Sequence, residues 1–188
     1  AMKITKVAVI GAGNMGSGIA QKIATEGVSV ILVDSSLLRA EAGKERIAHL
    51  LGEAVERRLF RPEQVTSILE RVTPTGELSD IADVDLAIEA IFEDLDVKRD
   101  LFKSMSAVCR PDAILATNTS SFLVRDVAEA ATNPERVIGL HYFYHPAKNR
   151  LVEVIPAKTT SQDTIDRVVQ YCKMLGKVVI VCGDRPGF

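Results

Sequence analysis

The chain has 188 residues, of which 47% are hydrophobic and 26% are charged, and its formal net charge is −2. These values are typical of a globular protein of about one domain, and the near-neutral charge gives no electrostatic reason to expect nucleic acid or an anionic membrane as a partner. No apolar stretch is long enough to span a bilayer and no signal peptide is recognisable, so we expect a cytoplasmic protein or a processed one from an organelle matrix.

The first predicted elements are a strand over residues 4–10 and a helix over residues 14–26. Between them the sequence reads Gly-Ala-Gly-Asn-Met-Gly, which has the G-x-G-x-x-G spacing. The first glycine permits a sharp turn, the second leaves room for a pyrophosphate, and the third lets helix and strand pack closely. Free N–H groups at the start of the helix would hold the phosphates. The predicted cofactor contacts in this loop are Gly11, Gly13, Asn14, Met15 and Gly16.

The second predicted strand covers residues 28–33 and is followed directly by Asp34. A carboxylate at this point, about twenty residues after the glycines, can bind both hydroxyls of a ribose. It would also repel a 2′-phosphate, and Arg39 is a turn further along the chain. We therefore predict NAD rather than NADP as the cofactor. The alternative interpretation is that the glycines only tighten a turn between strand and helix.

The rest of the chain alternates strands and helices, with one interruption. Two helical segments, about 36–58 and 62–71, follow each other without a strand and predict a helical hairpin inserted into a crossover. The later predicted strands cover residues 72–74, 84–88, 113–117, 137–140, 151–156 and 177–181, and the later helices cover 95–108, 123–130 and 161–175. This order predicts one α/β domain over residues 1–188, a Rossmann-type, doubly wound, mostly parallel sheet carrying the hairpin.

Polar residues follow three successive predicted strands, in segments 89–93 and 118–121 and at His141. Ligands of open α/β sheets bind beyond the carboxyl ends of the strands, so a site is expected there. His141 is the candidate general base, because imidazole exchanges protons near neutral pH. A hydrogen-bonded loop histidine without a catalytic role is an equally good interpretation. Of the other histidines, His49 lies on the charged face of the inserted helix, whereas His145 stays a candidate.

Glu153 is a single acid within the apolar strand Leu-Val-Glu-Val-Ile. Alternation places it on the same face as Leu151 and Ile155, where an unpaired charge is costly to bury. A histidine about a dozen residues earlier, at the start of a hairpin-like return, is the expected partner. The alternative is an edge strand with Glu153 in water.

The three cysteines are odd in number and lack metal-ligand spacing. They are expected to be buried free thiols in a reducing compartment, and no metal site is predicted. None has a histidine nearby in the sequence that would suggest a nucleophile. The cysteines are Cys109, Cys172 and Cys182.

Taken in order, several motifs resemble the L-3-hydroxyacyl-CoA dehydrogenase family. The motifs are the glycine loop, Glu89-Ala-Ile-Phe-Glu93-Asp-Leu-Asp-Val-Lys98, Thr117-Asn-Thr-Ser-Ser121, Gly139-Leu-His141, Leu151-Val-Glu-Val-Ile155 and Arg185-Pro-Gly-Phe188. This resemblance implies NAD-dependent oxidation of L-3-hydroxyacyl-CoA to 3-oxoacyl-CoA, as in fatty-acid β-oxidation.

The resemblance also implies roles for individual residues. His141 would take the proton of the 3-hydroxyl, Glu153 would orient and stabilise the imidazolium, and Ser120 would touch both the 3-oxygen and the cofactor. Asp34 would be the ribose acid. The remaining expected cofactor contacts at the strand ends are Ala90, Ile91, Glu93, Lys98, Asn118 and Ser120. The inserted hairpin would cover the adenine end of CoA, with Lys44, Arg46, Arg57 and Arg58 as candidate phosphate contacts or simply as a solvated helix face.

One departure from the family pattern concerns the loop after His141. Where the family has His-Phe-Phe-Asn-Pro, this chain reads His-Tyr-Phe-Tyr-His-Pro, so the loop Asn is lost. Cofactor contacts and substrate choice in that loop are therefore open. Two other hypotheses about the function of the whole chain also stay open. It could belong to a related dehydrogenase of a free sugar acid such as L-gulonate, or it could be a non-catalytic NAD-binding module.

A second departure concerns the segment after Pro-Gly-Phe, where the family continues into a helical domain that closes the acyl cleft and forms the homodimer. We expect this chain to be the NAD-binding domain of such a protein, and to be mostly monomeric and poorly active alone. Exposed apolar surface is expected at 142–146 and 186–188. Ala1, before Met2, is interpreted as a cloning scar.

Overall fold

Eight strands and six helices are present in the computed structural model, which describes residues 3–185. The strands are β1 (Lys6–Ile10), β2 (Ser29–Val33), β3 (Val72–Thr75), β4 (Leu86–Glu89), β5 (Ile114–Thr117), β6 (Val137–Tyr142), β7 (Leu151–Pro156) and β8 (Val178–Val181). The helices are α1 (Asn14–Thr25), α2 (Leu37–Glu56), α3 (Pro62–Glu70), α4 (Leu95–Val108), α5 (Val124–Ala128) and α6 (Gln162–Met174). Two 3₁₀ turns cover Leu78–Ile81 and Pro134–Arg136.

The strands form one sheet in the order β3-β2-β1-β4-β5-β6-β7-β8. Neighbouring strands are parallel except for β6 and β7, which pair antiparallel. The strand order reverses between β1 and β4, which is the point where open α/β sheets bind their ligands. The prediction of a Rossmann-type, doubly wound and mostly parallel sheet is confirmed.

Both faces of the central strands are buried. Val7 and Val9 of β1 belong to the core shared with α1, α2, α3 and α6, whereas Ala8 and Ile10 belong to the core shared with α4 and α5. A strand covered on both faces has no need of polar alternation. This burial explains why β1 is apolar at four successive positions.

The predicted helical hairpin is present as α2 and α3, between β2 and β3. Its first helix packs closely on the glycine loop, since a Cβ at Gly43 would lie 2.8 Å from the Cβ of Ala12. The Arg46 guanidinium also donates to the carbonyl oxygen of Ala12 at 2.8 Å. Arg46, a candidate contact for CoA phosphates, is thus engaged by the glycine loop.

The expectation of exposed apolar surface at 142–146 is wrong for two of its residues. Tyr142 is buried in the core on the α1 side, and buried Pro146 packs so closely on Gly18 that a Cβ there would lie 2.6 Å from the proline ring. Tyr144 is 69% exposed. The other residues of that expectation, 186–188, lie outside the described residues, as do Ala1 and Met2. Among the helices that the structure describes, none has the length and apolar character needed to cross a membrane.

Candidate active site

The glycine loop has the geometry that its spacing predicts. Gly11 has a φ of +111°, and a Cβ there would lie 2.5 Å from the carbonyl oxygen of Ala90. A Cβ at Gly16 would lie 1.6 Å from the carbonyl oxygen of Gly11, so only glycine lets α1 approach the turn this closely. A Cβ at Gly13 would meet no atom within 4 Å. The first and third glycines therefore shape the loop, and the second borders open space.

The start of α1 fits a bound phosphate. Gly13 is the N-cap residue, no side chain caps the helix, and no acidic residue lies in its first turn. The first N–H groups of a helix have no partner within the helix and carry its positive dipole end. Asn14 is exposed and Met15 is half-buried beside them. This arrangement suits a pyrophosphate, in agreement with the predicted dinucleotide site.

Asp34 is bound to the backbone of the same loop. Its Oδ2 accepts a hydrogen bond from Ala12 N at 2.9 Å, and its Oδ1 accepts one from Ser35 N at 2.6 Å. The carboxylate borders a cavity of about 550 Å³ that reaches from the glycine loop across the ends of β1 and β2. This cavity is lined by Ile10, Gly11, Gly13, Val33, Asp34, Ser35, Arg39, Gly76, Leu78, Ala90, Ile91, Phe92, Val97 and Leu101. An apolar wall with one carboxylate suits an adenosine.

We expect this chain to bind NAD well above NADP, although Arg39 lines the same cavity as Asp34. Asp34→Ala should reduce the difference between the NAD and NADP affinities by weakening NAD binding. Asp34→Asn keeps an acceptor for Ala12 N but removes the negative charge, so it should reduce the same difference mainly by improving NADP binding. Titration calorimetry with both dinucleotides gives the affinities, and equal affinities in the unsubstituted chain would rule the preference out.

A buried ion cluster lies behind this cavity. Glu89 is the last residue of β4 rather than part of a loop, and it is fully buried. The Lys98 ammonium is 1% exposed and lies 2.6 Å from Glu89 Oε2 and 2.9 Å from Glu93 Oε1. It also donates to the carbonyl oxygen of Ile91 at 3.3 Å. Lys98 is therefore turned into the protein, and any influence on a cofactor passes through Glu93 and the backbone of residue 91.

Glu93 is presented at the sheet edge by this cluster. Its carboxylate is bound by Lys98 on one oxygen and by the Thr119 hydroxyl, at 2.6 Å, on the other. Burial acts to raise the pKa of Glu93, but the hydrogen bonds from Thr119 and Lys98 outweigh it and hold the pKa below the usual value of 4.5. A charged carboxylate thus stays fixed beside the strand ends at neutral pH.

The segment after β5 connects the cofactor loops to His141. The side-chain oxygen of Asn118 accepts a hydrogen bond from Tyr142 N at 2.8 Å, which ties the end of β5 to the end of β6. Ser120 is exposed and lines a small cavity together with His141. Ser120 and His141 are thus brought to one site, as predicted from the strand ends. The other residues lining this cavity are Thr119, Phe122, Val124, Ile155, Asp184 and Arg185.

His141 and Glu153 face each other across the antiparallel pair. They are paired residues of β6 and β7, and His141 Nδ1 lies 2.9 Å from Glu153 Oε1. His141 was predicted in a loop but lies within β6, because the antiparallel pairing extends that strand to Tyr142. The edge-strand alternative for Glu153 is wrong, because β8 covers β7 and leaves Glu153 only 7% exposed.

The electrostatics of the pair keep Glu153 ionised. Burial acts to raise the pKa of Glu153, but the hydrogen bonds with His141 and Cys182 outweigh it and hold the pKa below the usual value of 4.5. With Nδ1 bound to the carboxylate, the neutral imidazole carries its proton there and Nε2 is the acceptor. The Phe143 ring packs edge-on against the imidazole, with centroids 4.7 Å apart. His145 instead stacks on Tyr144 at 3.9 Å and does not line the cavity described above.

A family model described as "3-hydroxyacyl-CoA dehydrogenase, NAD binding domain" matches residues 6–185. The chain belongs to this family. The resemblance stated from the motifs is thereby confirmed, and the cofactor of this NAD-binding domain is NAD. In the described part of the domain, no group of three or more His, Cys, Asp or Glu side chains is arranged to hold a metal ion.

Relatives of this NAD-binding domain are longer proteins. It is 36% identical over 187 residues to a probable 3-hydroxybutyryl-CoA dehydrogenase of Bacillus subtilis, covering 100% of this chain and 65% of that protein. It is 37% identical over 188 residues to the fatty acid oxidation complex subunit alpha of Psychrobacter arcticus, of which it covers 26%. The crystal structure of FadB2 from M. tuberculosis superposes with a TM-score of 0.97 at 38% identity, over 100% of this chain and 66% of that one.

Cys182 and Asp184 escaped prediction as residues of the site, and Glu89 was predicted only as part of the polar segment 89–93, without its partner. Glu89 anchors Lys98, Cys182 contacts Glu153, and Asp184 accepts hydrogen bonds from the first N–H groups of α5 at 2.7 and 3.0 Å. An acid at the end of a buried strand is a usable signal for Glu89. Cys182 and Asp184 carry no such signal, because their contacts are with residues far away in the sequence.

Proposed function

We propose that the protein oxidises L-3-hydroxyacyl-CoA to 3-oxoacyl-CoA with NAD, and that this chain carries the base and the cofactor site. The observation that supports this most is the His141–Glu153 pair, at 2.9 Å, beside the cavity that Ser120 lines. A histidine oriented by a buried carboxylate is the arrangement that removes a proton from an alcohol. A module that only bound NAD would have no need of it.

The proposed mechanism assigns each residue one task. Bound NAD supplies the acceptor for the hydride of C3. His141 takes the proton of the 3-hydroxyl on Nε2, and Glu153 stabilises the resulting imidazolium through Nδ1. The Ser120 hydroxyl holds the 3-oxygen near the imidazole, and Glu93 holds the cofactor at the sheet edge. The uncapped start of α1 and Asp34 bind the pyrophosphate and the ribose.

The acyl-CoA substrate and the subunit partner are part of the same proposal. Lys44, Arg57 and Arg58, which are half-buried or exposed in the hairpin region, are the proposed contacts for phosphates at the adenine end of CoA. We further propose that a C-terminal helical segment, as in the family, closes the acyl cleft and forms a homodimer. Without that helical segment, water is poorly excluded from the 3-oxygen of the substrate. This chain alone should then be mostly monomeric, bind NAD and turn over substrate slowly.

The substrate class can be tested with acetoacetyl-CoA and NADH, assayed against L-gulonate and NAD in parallel. We expect the complete protein to reduce acetoacetyl-CoA, and the 188-residue chain to show weak turnover but NAD binding. Turnover of L-gulonate without turnover of the thioester would refute the acyl-CoA assignment. Sedimentation of the 188-residue chain tests the monomer, and a compact dimer with ordinary rates would show that no further segment is needed.

A further inference from the structure

The carboxylate of Glu153 has a second partner besides His141. Cys182 Sγ lies 3.0 Å from Glu153 Oε2, whereas the other oxygen, Oε1, is the one that faces the imidazole. The backbone N–H of Cys182 donates to the carbonyl oxygen of Val154 at 2.9 Å, continuing the pairing of β8 with β7. The sheet therefore places the thiol beside Glu153, with His141 on the opposite side of the same carboxylate.

The thiol is the donor in this contact. Burial, together with the neighbouring negative charge of Glu153, raises the pKa of Cys182 to about 11, so the sulfur carries its proton at neutral pH. The carbonyl oxygen of Ile180 lies further away, at 3.9 Å. An S–H donor is weaker than O–H or N–H, but its acceptor here is an ionised and nearly buried carboxylate.

We propose that Cys182 is a positioning residue, whose thiol holds Oε2 of Glu153 so that Oε1 stays directed at His141 Nδ1. Without the thiol, the carboxylate is free to rotate toward solvent and its pairing with the imidazole loosens. The catalytic consequence rests on the function proposed above, whereas the hydrogen bond itself does not.

Two titratable side chains of the described residues make hydrogen bonds with the Glu153 carboxylate. His141 faces it from β6, and Cys182 faces it from the end of β8. Asp184 and Arg185 line the adjoining cavity, but the Asp184 carboxylate accepts hydrogen bonds from Val124 N and Arg125 N. Among the described residues, the Cys182 thiol is thus the side chain that donates a hydrogen bond to Oε2 of Glu153.

The hydrogen bond is tested by reciprocal titrations on this chain, with no substrate present. In Cys182→Ala we expect the carboxyl pKa of Glu153, read by ¹³C NMR, to rise by about half a unit because a donor to the charged form is lost. Cys182→Ser should restore it. In Glu153→Gln the thiol pKa, read from alkylation rates against pH, should fall below about 11 because the neighbouring charge is gone. Cys109→Ala, a change at a buried thiol near Ile81, is the matched control.

The catalytic consequence is tested in the complete protein. Cys182→Ala should lower kcat roughly three- to tenfold, the loss expected for one hydrogen bond of ordinary strength, and should change the pH profile. Cys182→Ser should recover most of the rate. Unshifted titrations of both Glu153 and Cys182 would overturn the proposal, and the alkylation experiment decides it even if Cys182→Ala does not fold. Shifted titrations in a protein that fails to act on acetoacetyl-CoA would overturn the proposed function alone.

Discussion

Replacing His141 with alanine in the complete protein is expected to lower kcat by about 10²–10⁴-fold, the range typical for loss of a general base. The imidazole is held by Glu153 at 2.9 Å and lines the cavity with Ser120. KM for NADH should change little, because the dinucleotide site lies on the other loops. Steady-state kinetics with acetoacetyl-CoA and NADH measures both constants.

Two controls separate the role of His141 from a general effect of removing imidazole. His145→Ala removes a ring that stacks on Tyr144, and His49→Ala removes one on the outer face of α2, so both should keep nearly full kcat. Glu153→Gln should cost less than His141→Ala, because the ring remains but its imidazolium loses a carboxylate. A near-normal kcat for His141→Ala combined with a large loss for His145→Ala would move the role of the base to His145.

Replacing Lys98 with methionine is expected to destabilise the chain by about 3–5 kcal/mol, because it leaves the carboxylate of Glu89 buried without its cation. Glu89 is 0% exposed, and its remaining partners are the Thr117 hydroxyl and Ile91 N. Urea denaturation of the variant and of the unsubstituted chain measures this difference in unfolding free energy.

Matched variants distinguish the buried pair from a simple loss of charge. Lys103→Met removes an exposed lysine from the same helix and should change stability by less than about 0.5 kcal/mol. The double variant Glu89→Gln with Lys98→Met should recover most of the stability, because no unpaired charge remains inside. Equal stabilities of Lys98→Met and Lys103→Met would contradict the importance of the cluster. NAD binding should also weaken in Lys98→Met, since Glu93 loses the ammonium at 2.9 Å.

Local patterns in the sequence were sufficient to predict the mostly parallel sheet and the glycine loop that binds the cofactor. The apolar run of β1 reflects burial on both faces, and the spacing of Gly11, Gly13 and Gly16 reflects steric limits within one short turn. The partner of Glu153 could also be predicted, because a charge in an apolar strand requires one and a histidine lay at hairpin distance. Each of these inferences depends on neighbours along the chain or across one turn.

Other features were decided only by the tertiary structure. Whether His141 lies in a loop or in β6 depends on how far the antiparallel pairing with β7 extends. The contacts of Arg46 with Ala12 and of Cys182 with Glu153 join residues 34 and 29 positions apart. Periodicity and motif spacing describe one segment at a time, whereas these contacts are set by how separate helices and strands pack together. The sequence by itself therefore determined the sheet, the glycine loop and the acid–histidine pair, and packing decided which other side chains hold them in place.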